Sequence, residues 1–387
     1  MGENTDVLDD ILDDEVGEKT TNVVENKEIQ PVEVVSQPSE DYVKQEFKPG
    51  AGVDIGTSNI VIARQTKDGK FISRYHRNML YPLDITEEAT DLLDKSDYLY
   101  VKVGGKYFVV GEDALNLINA IGKGEVVRPM KDGIMNPSLA ESTDLLFYII
   151  KAVVGDPIVK NEPLRFSIPA NPVDSEIDNV FHKMLLVNFF KKMGYDPKPV
   201  NEAMCIAYDC NPIMKEDEGE IPLSGISCST GAGMWNLALC YKGLSVIEFS
   251  CTKSGDHLDQ EVSRMTGTPI SKVIKIKEKK LDLNNIDFND RVQAALSIYY
   301  DDMIDRMVQH ITHKFAAQNS DMDGEIEIIV AGGTSMAPGF CTRLEDAIKR
   351  SEMPFNIYRV RHSETPFYSV SQGACMRAQA DHAKAQK

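Results

Sequence analysis

From Ala51 onward the chain alternates between two hydrophobic periods. Runs in which aliphatic and β-branched residues follow one another closely, GVDIG, NIVIARQ, KYFVVG, LRFSIP, NLALCYKGLSVIEF and EIEIIVAGG, predict strands. Between them, apolar residues recur at helical spacing near 140–155, 175–193, 292–315 and 340–350, which predicts helices. Strands interleaved with helices in this way define an α/β architecture. At 387 residues the chain exceeds what one hydrophobic core usually serves, so two lobes are expected. No short-period repeat is visible.

Residues 1–48 break the pattern. They hold fourteen acids against four bases and so carry −10 of a formal charge of −18. Few aromatics and the prolines at 31 and 38 leave too little surface to bury against the entropy of ordering, and a disordered acidic tail is expected. Inside it, Val7, Leu8, Ile11, Leu12 and Val16 form an apolar stripe at helical spacing among Asp9, Asp10, Asp13 and Asp14. That stripe fits a helix docking on a protein partner, and it also fits a solvated tail with incidental apolar residues. Acidic body and acidic tail together argue against a nucleic-acid partner, since phosphate attraction needs a basic surface. The richest apolar stretch, 145–154, is interrupted by Lys151, so no transmembrane segment is expected. An acidic amino terminus and seven cysteines without a CxxC spacing point to reduced thiols in a cytoplasmic protein.

Three predicted strands run into glycine-rich turns: GVDIGTSN, the run around STGAG, and IIVAGGTSMAPG. Without a Cβ, such turns let backbone N–H groups approach phosphate oxygens. One turn alone is more often a tight connection. The chain has no GxxxxGK[ST], and GAGMWN lacks the third glycine of GxGxxG, so P-loop and dinucleotide readings have no specific support. His310 and His313 share a helix face but have no further ligands at zinc-site spacing.

Taken in order, these segments resemble the motif series of the actin-like ATPase superfamily, most closely prokaryotic actins of the MreB and MamK type, over residues 50–380. Asp54, Gly56, Thr57, Ser58 and Asn59 resemble its first phosphate loop, whose aspartate faces a hydrated magnesium ion. RPMKDGIMNP at 128–137 is similar to an MreB-type segment, and NEAMCIAYD at 201–209 to a connecting segment. SIPANPVDSE at 167–176 falls where the family positions its attacking water, which the resemblance assigns to Asp174 or Glu176. The turn at 231–233, Gly231, Ala232 and Gly233, aligns with the second phosphate loop. Gly255 opens a helix, Lys277 stands where a lysine reaches ribose or adenine, and Gly332, Gly333, Thr334 and Met336 match the adenosine motif.

The resemblance implies two lobes, each with a central sheet, closing on a nucleotide cleft. The first lobe covers 49–197, with a small subdomain near 78–125, and is completed by 367–387. The second covers 198–366, with a small subdomain near 255–291 that is short for the family. ATP or ADP with Mg2+ is the implied cofactor, and head-to-tail self-assembly into cytoskeletal filaments the implied partnership. One departure bears on chemistry. Where the family carries two aspartates around its second phosphate loop, this chain has Ser229 and Asn236. Hydrolysis of ATP is therefore expected to be slow or absent, Ser229→Asp to restore it, and the neighbouring Trp235 to crowd and report on the cleft. A nucleotide-binding pseudoenzyme scaffold is the alternative, followed by a chaperone-like ATPase and a small-molecule kinase of the same fold.

Overall fold

The computed structural model describes residues 45–83, 93, 98–103, 106–121, 124–139, 141–210, 213–215, 219–221, 224–316, 325–354 and 356–386. The apolar stripe at 7–16 and nearly all of the acidic tail lie outside the described residues. Hydrogen bonding of the body begins before Pro49: Phe47 bridges Thr66, and the Lys48 N–H donates to the Gln65 carbonyl at 2.8 Å.

The first sheet starts as an antiparallel meander of β1 (Ala51–Ile55), β2 (Asn59–Gln65) and β3 (Phe71–Arg77). A small three-stranded sheet of β4 (Leu80–Leu83), β5 (Tyr100–Val103) and β6 (Lys106–Val110) follows, packed on α1 (Glu112–Ile121). Next come the hairpin of β7 (Met130–Lys131) and β8 (Ile134–Met135), then α2 (Ser142–Val154). Parallel pairing of β9 (Glu162–Ile168) with β1, and of β10 (Tyr195–Asn201) with β9, completes the sheet in the order β10-β9-β1-β2-β3. The helix α3 (Val180–Lys192) joins the last two strands.

Beyond α4 (Glu202–Asp209) and the short hairpin of β11 (Ile213–Lys215) and β12 (Gly219–Ile221), the same design recurs. A meander of β13 (Gly225–Thr230), β14 (Trp235–Tyr241) and β15 (Leu244–Cys251) is followed by the helices α5 (Gly255–Thr266), α6 (Ile270–Lys279) and α7 (Arg291–Ala316). Residues 280–290 connect α6 to α7 without a strand, in keeping with a small subdomain there. Then β16 (Glu325–Ala331), α8 (Phe340–Arg350) and β17 (Asn356–His362) give the order β15-β14-β13-β16-β17, with β13, β16 and β17 parallel. The two sheets thus have one topology, a duplication that the sequence conceals because strand pairing asks only for alternation and burial, not for particular residues.

The last helix, α9 (Ser369–Ala385), crosses back to pack on β1 and α4. It comes so close that a Cβ on Gly373 would fall 1.7 Å from the Cys205 carbonyl oxygen, and one on Gly52 2.0 Å from that of Ser371. Only glycine allows these approaches. Around them, Cys205, Ile206, Ala238, Ile329, Ala331 and Ala374 form a core that joins the lobes.

His182 on α3 is 2 % exposed, and neither ring nitrogen has a hydrogen-bond partner among the described residues. Burial pushes its pKa down to about 4. Because the folded value lies below the unfolded one, the unfolded chain takes up the proton first as pH falls, and stability is lost from about pH 6.5 downward. His182→Leu is expected to remove that loss, so that between about pH 7.5 and 5 it loses about 2 kcal/mol less stability than the parent. Denaturant titrations across that range check it, and parallel profiles would disprove the role of the imidazole.

Candidate functional site

Each meander turns from its first strand to its second through a tight loop, and the two loops are bonded alike. The Gly56 N–H donates to the Asn59 carbonyl at 3.0 Å, and the Gly231 N–H to the Met234 carbonyl at 2.9 Å. The lobes bring these turns together. A Cβ on Gly233 would lie 2.3 Å from Thr57 Oγ1 and 2.5 Å from the Gly133 nitrogen, so the close approach of the lobes requires glycine there. Gly133, in the β7–β8 turn, donates its N–H to Thr57 Oγ1 at 3.0 Å.

A third turn follows β16. Gly332 has φ of 95°, and residues 333–336 make a single 3-10 turn. The Thr334 hydroxyl donates to the Gly231 carbonyl at 2.8 Å, and the Tyr300 hydroxyl to the Thr334 carbonyl at 3.0 Å. Nothing lies within 4 Å of where a Gly333 Cβ would stand, so that face of the turn is open.

The three turns bound a cavity of about 990 Å³. Of the residues singled out from sequence, Asp54, Gly56, Thr57, Ser58, Asn59, Gly231, Ala232, Gly233, Lys277, Gly332, Gly333, Thr334 and Met336 all line it. Gly255 stands behind the wall, where its N–H donates to the Gly231 carbonyl at 3.3 Å. The Lys277 ammonium is turned aside onto the buried Asp259 carboxylate at 2.6 Å.

Asp174 and Glu176 are not in the wall. The Asp174 carboxylate instead accepts from the Thr252 N–H at 2.9 Å, the Thr252 hydroxyl at 3.1 Å and the Cys251 thiol at 2.9 Å. Trp235 departs from expectation too. It is fully buried in the second lobe's core, edge-on to Phe249 with ring centroids 5.7 Å apart, and Met234 takes the place beside the cavity. Adjacent strand residues face opposite sides of a sheet, so the position next to a cleft-facing one points into the core.

A carboxylate not singled out from sequence is Glu202. Asn201 caps α4, its side chain accepting from the Ala203 and Met204 N–H groups, and so sets Glu202 at the first helical position. Its two oxygens accept from the Ser229 hydroxyl at 2.6 Å and the Asn236 amide at 2.9 Å. The residues standing where two aspartates were expected thus hold one glutamate between them. Asn236 also accepts from the Ala170 N–H at 2.9 Å, which ties this group to the first lobe. The legible signal was the cap-and-acid pair Asn201–Glu202 opening a helix.

Across the cavity, Asp54 accepts from the Ser167 hydroxyl at 2.8 Å, which itself accepts from the Ile55 N–H at 2.9 Å. Burial raises the Asp54 pKa, against the lowering effect of Ser167. Burial, and then the charge of Asp54, raise that of Glu202 further. Two desolvated carboxylates facing one cavity favour a cation or a shared proton between them.

Two lobes of one sheet topology, hinged at a shared helical core and opposing their hairpin turns across a cavity, constitute the actin-like ATPase fold. A family model described as Volactin matches residues 50–378, and the chain belongs to that family. No curated protein matches at a significant level. Among solved structures, a MamK double helical filament aligns with a TM-score of 0.62 at 16% identity, covering 85% of this chain and 98% of that one. MreB5 of Spiroplasma citri bound to ADP aligns at 0.57 and 14% identity, over 88% and 99% of the two chains. The ethanolamine utilization protein EutJ from Carboxydothermus hydrogenoformans aligns at 0.50 and 12% identity, over 89% and 92%.

Proposed function

We propose that the chain binds an adenine nucleotide with Mg2+ in this cavity and assembles with copies of itself into filaments. The observation that carries the reading is the pair of opposed hairpin turns, Gly56–Asn59 and Gly231–Met234, flanked by Asp54 and Glu202. Backbone N–H groups of the turns suit phosphate oxygens, and the small residues Gly332 and Gly333 leave a slot for a flat base. The donor set also fits the metal. No group of three metal-ligating side chains converges among the described residues, but Mg2+ needs none, since it keeps its waters and takes one or two carboxylates with the phosphates. Asp54 would hold the hydrated ion, whose chemistry there is to neutralise phosphate charge.

Glu202 then takes the role first considered for Asp174 or Glu176. It lines the cavity, and both its oxygens are oriented by neutral donors. In its ionised form a carboxylate so placed can orient a water and accept its proton, and a cation bound nearby would favour that form over the protonated one that burial favours. On this reading the absence of aspartates at 229 and 236 does not by itself imply a dead enzyme. Assembly is supported by the fold shared with MamK, whose structure is a filament. Head-to-tail contacts are heterologous and open, which is how one chain becomes a fibre. No helix among the described residues is long and apolar enough to cross a membrane.

Because Trp235 is buried away from the cavity, the reporter has to be on the ligand. Titration of a fluorescent ATP analogue with Mg2+, competed by ATP, ADP and inorganic phosphate, is expected to give saturable binding with the adenine nucleotides far more effective than phosphate. Sedimentation of the same sample is expected to show nucleotide-dependent pelleting. Equal competition by phosphate would refute the nucleotide site, and a protein that stays in the supernatant in every nucleotide state would refute assembly.

A further inference from the structure

Two arginines of the first lobe cross to carboxylates of the second. Arg128, ahead of β7, bonds Asp256 at the start of α5 at 2.8 Å. This pair is bonded to both hairpin turns. Arg128 also donates to the Thr57 carbonyl at 3.3 Å, and the Asp256 N–H donates to that of Ala232 at 2.7 Å.

Arg77 makes a different connection. It ends β3 and lines the cavity together with Glu112 and Glu278. Its two terminal nitrogens fork onto both oxygens of Glu278, in the last turn of α6, at 3.1 and 2.5 Å. Its Nε is bonded to Glu112, the first residue of α1. The fork therefore joins the small subdomain of one lobe to that of the other, where α1 and α6 also touch. The Arg77 side chain is 10% exposed and that of Glu278 32%, so this is not a fully solvated surface pair of negligible effect.

We propose that the Arg77–Glu278 fork is a latch that holds the cleft closed and sets the rate at which nucleotide enters and leaves; the second part rests on the nucleotide reading above. The arrangement is suited to opening as well as closing. When the lobes part, Arg77 stays paired with Glu112 on its own lobe, so no arginine is left buried and uncompensated. Glu278, already a third exposed, is taken up by water. The Arg128–Asp256 pair is bonded to the hairpin turns themselves, whereas the fork joins the helices α1 and α6.

The test uses the full chain. Glu278→Gln keeps the side-chain length and removes the charge, and Arg77→Lys keeps the charge and removes the fork. In both, release of a fluorescent ADP analogue chased by excess ATP is expected to quicken about tenfold, the change that loss of one charge-assisted bond produces. Added salt is expected to speed release from the parent and to have little effect on Glu278→Gln. Hydrogen–deuterium exchange without nucleotide is expected to rise in α1 and α6 while α7 stays protected, which also shows that the variants are folded. Unchanged exchange in α1 and α6, or an unchanged release rate, overturns the latch. A parent protein that never retains the ADP analogue refutes the nucleotide reading instead, and the exchange measurement then still decides whether the fork closes the cleft.

Discussion

Replacing Glu202 by glutamine is expected to slow phosphate release from bound ATP about a hundredfold or more, with little change in nucleotide affinity. Glutamine keeps the shape and can still bond Ser229 and Asn236, but it cannot accept a proton. The same substitution is expected to stabilise the ligand-free protein at alkaline pH. Glu202 has its folded pKa raised by burial and by Asp54, so the folded state holds a proton that the unfolded chain gives up. Its contribution is fully present below the ordinary glutamate value and is lost as pH rises through the folded one. The melting temperature of Glu202→Gln is therefore expected to exceed the parent's above neutral pH, the gap closing toward about pH 5. Lost turnover with no stabilisation would mean that Glu202 is not the desolvated acid described above. Ser229→Asp, the substitution that sequence suggests as a repair, is expected to fail. Its carboxylate would replace a hydroxyl donating to Glu202 at 2.6 Å, putting two like charges together in a buried site.

Asp54→Ala is expected to abolish the benefit of Mg2+ for nucleotide binding. A carboxylate acting on the ion across a water, at about 5 Å and an effective dielectric near 20, contributes about 3 kcal/mol for each unit of the ion's charge, so a loss of at least about a hundredfold in affinity is expected. Affinity measured in EDTA is expected to change little, so the variant binds equally with and without the metal. Its fold is expected to survive, because Asp54 faces the cavity and its side-chain partner among the described residues, Ser167, is a hydroxyl that water can satisfy. Titrations of parent and variant with and without Mg2+ decide the matter, and a preserved metal effect would remove Asp54 from the metal's surroundings.

The turns at 54–59, 231–233 and 332–336 were legible because their information is local. Glycine where a backbone must come close, next to an alternating strand, can be read within ten residues. Glu202 was not legible in the same way. Its importance comes from Ser229 and Asn236, which lie on β13 and β14 and meet it only after the second sheet has formed. Asp174 shows the converse: it lies in the expected segment, but Cys251 at the end of β15 and Thr252 just after it bond its carboxylate away from the cavity. With Trp235, a shift of one residue along a strand separated the cleft from the core.

By itself, then, the sequence determined the α/β class, the two-lobed organisation and the glycine turns that bound the cavity, since periodicity and glycine act over a few residues. The tertiary structure decided which carboxylates face that opening, that the two sheets share one topology, and that Arg77 and Arg128 tie the lobes together. Those are contacts between side chains far apart in the chain, as with Arg77 and Glu278, 201 residues apart. Whether such charges meet depends on how two lobes pack, a property of the whole core that no local pattern of residues encodes.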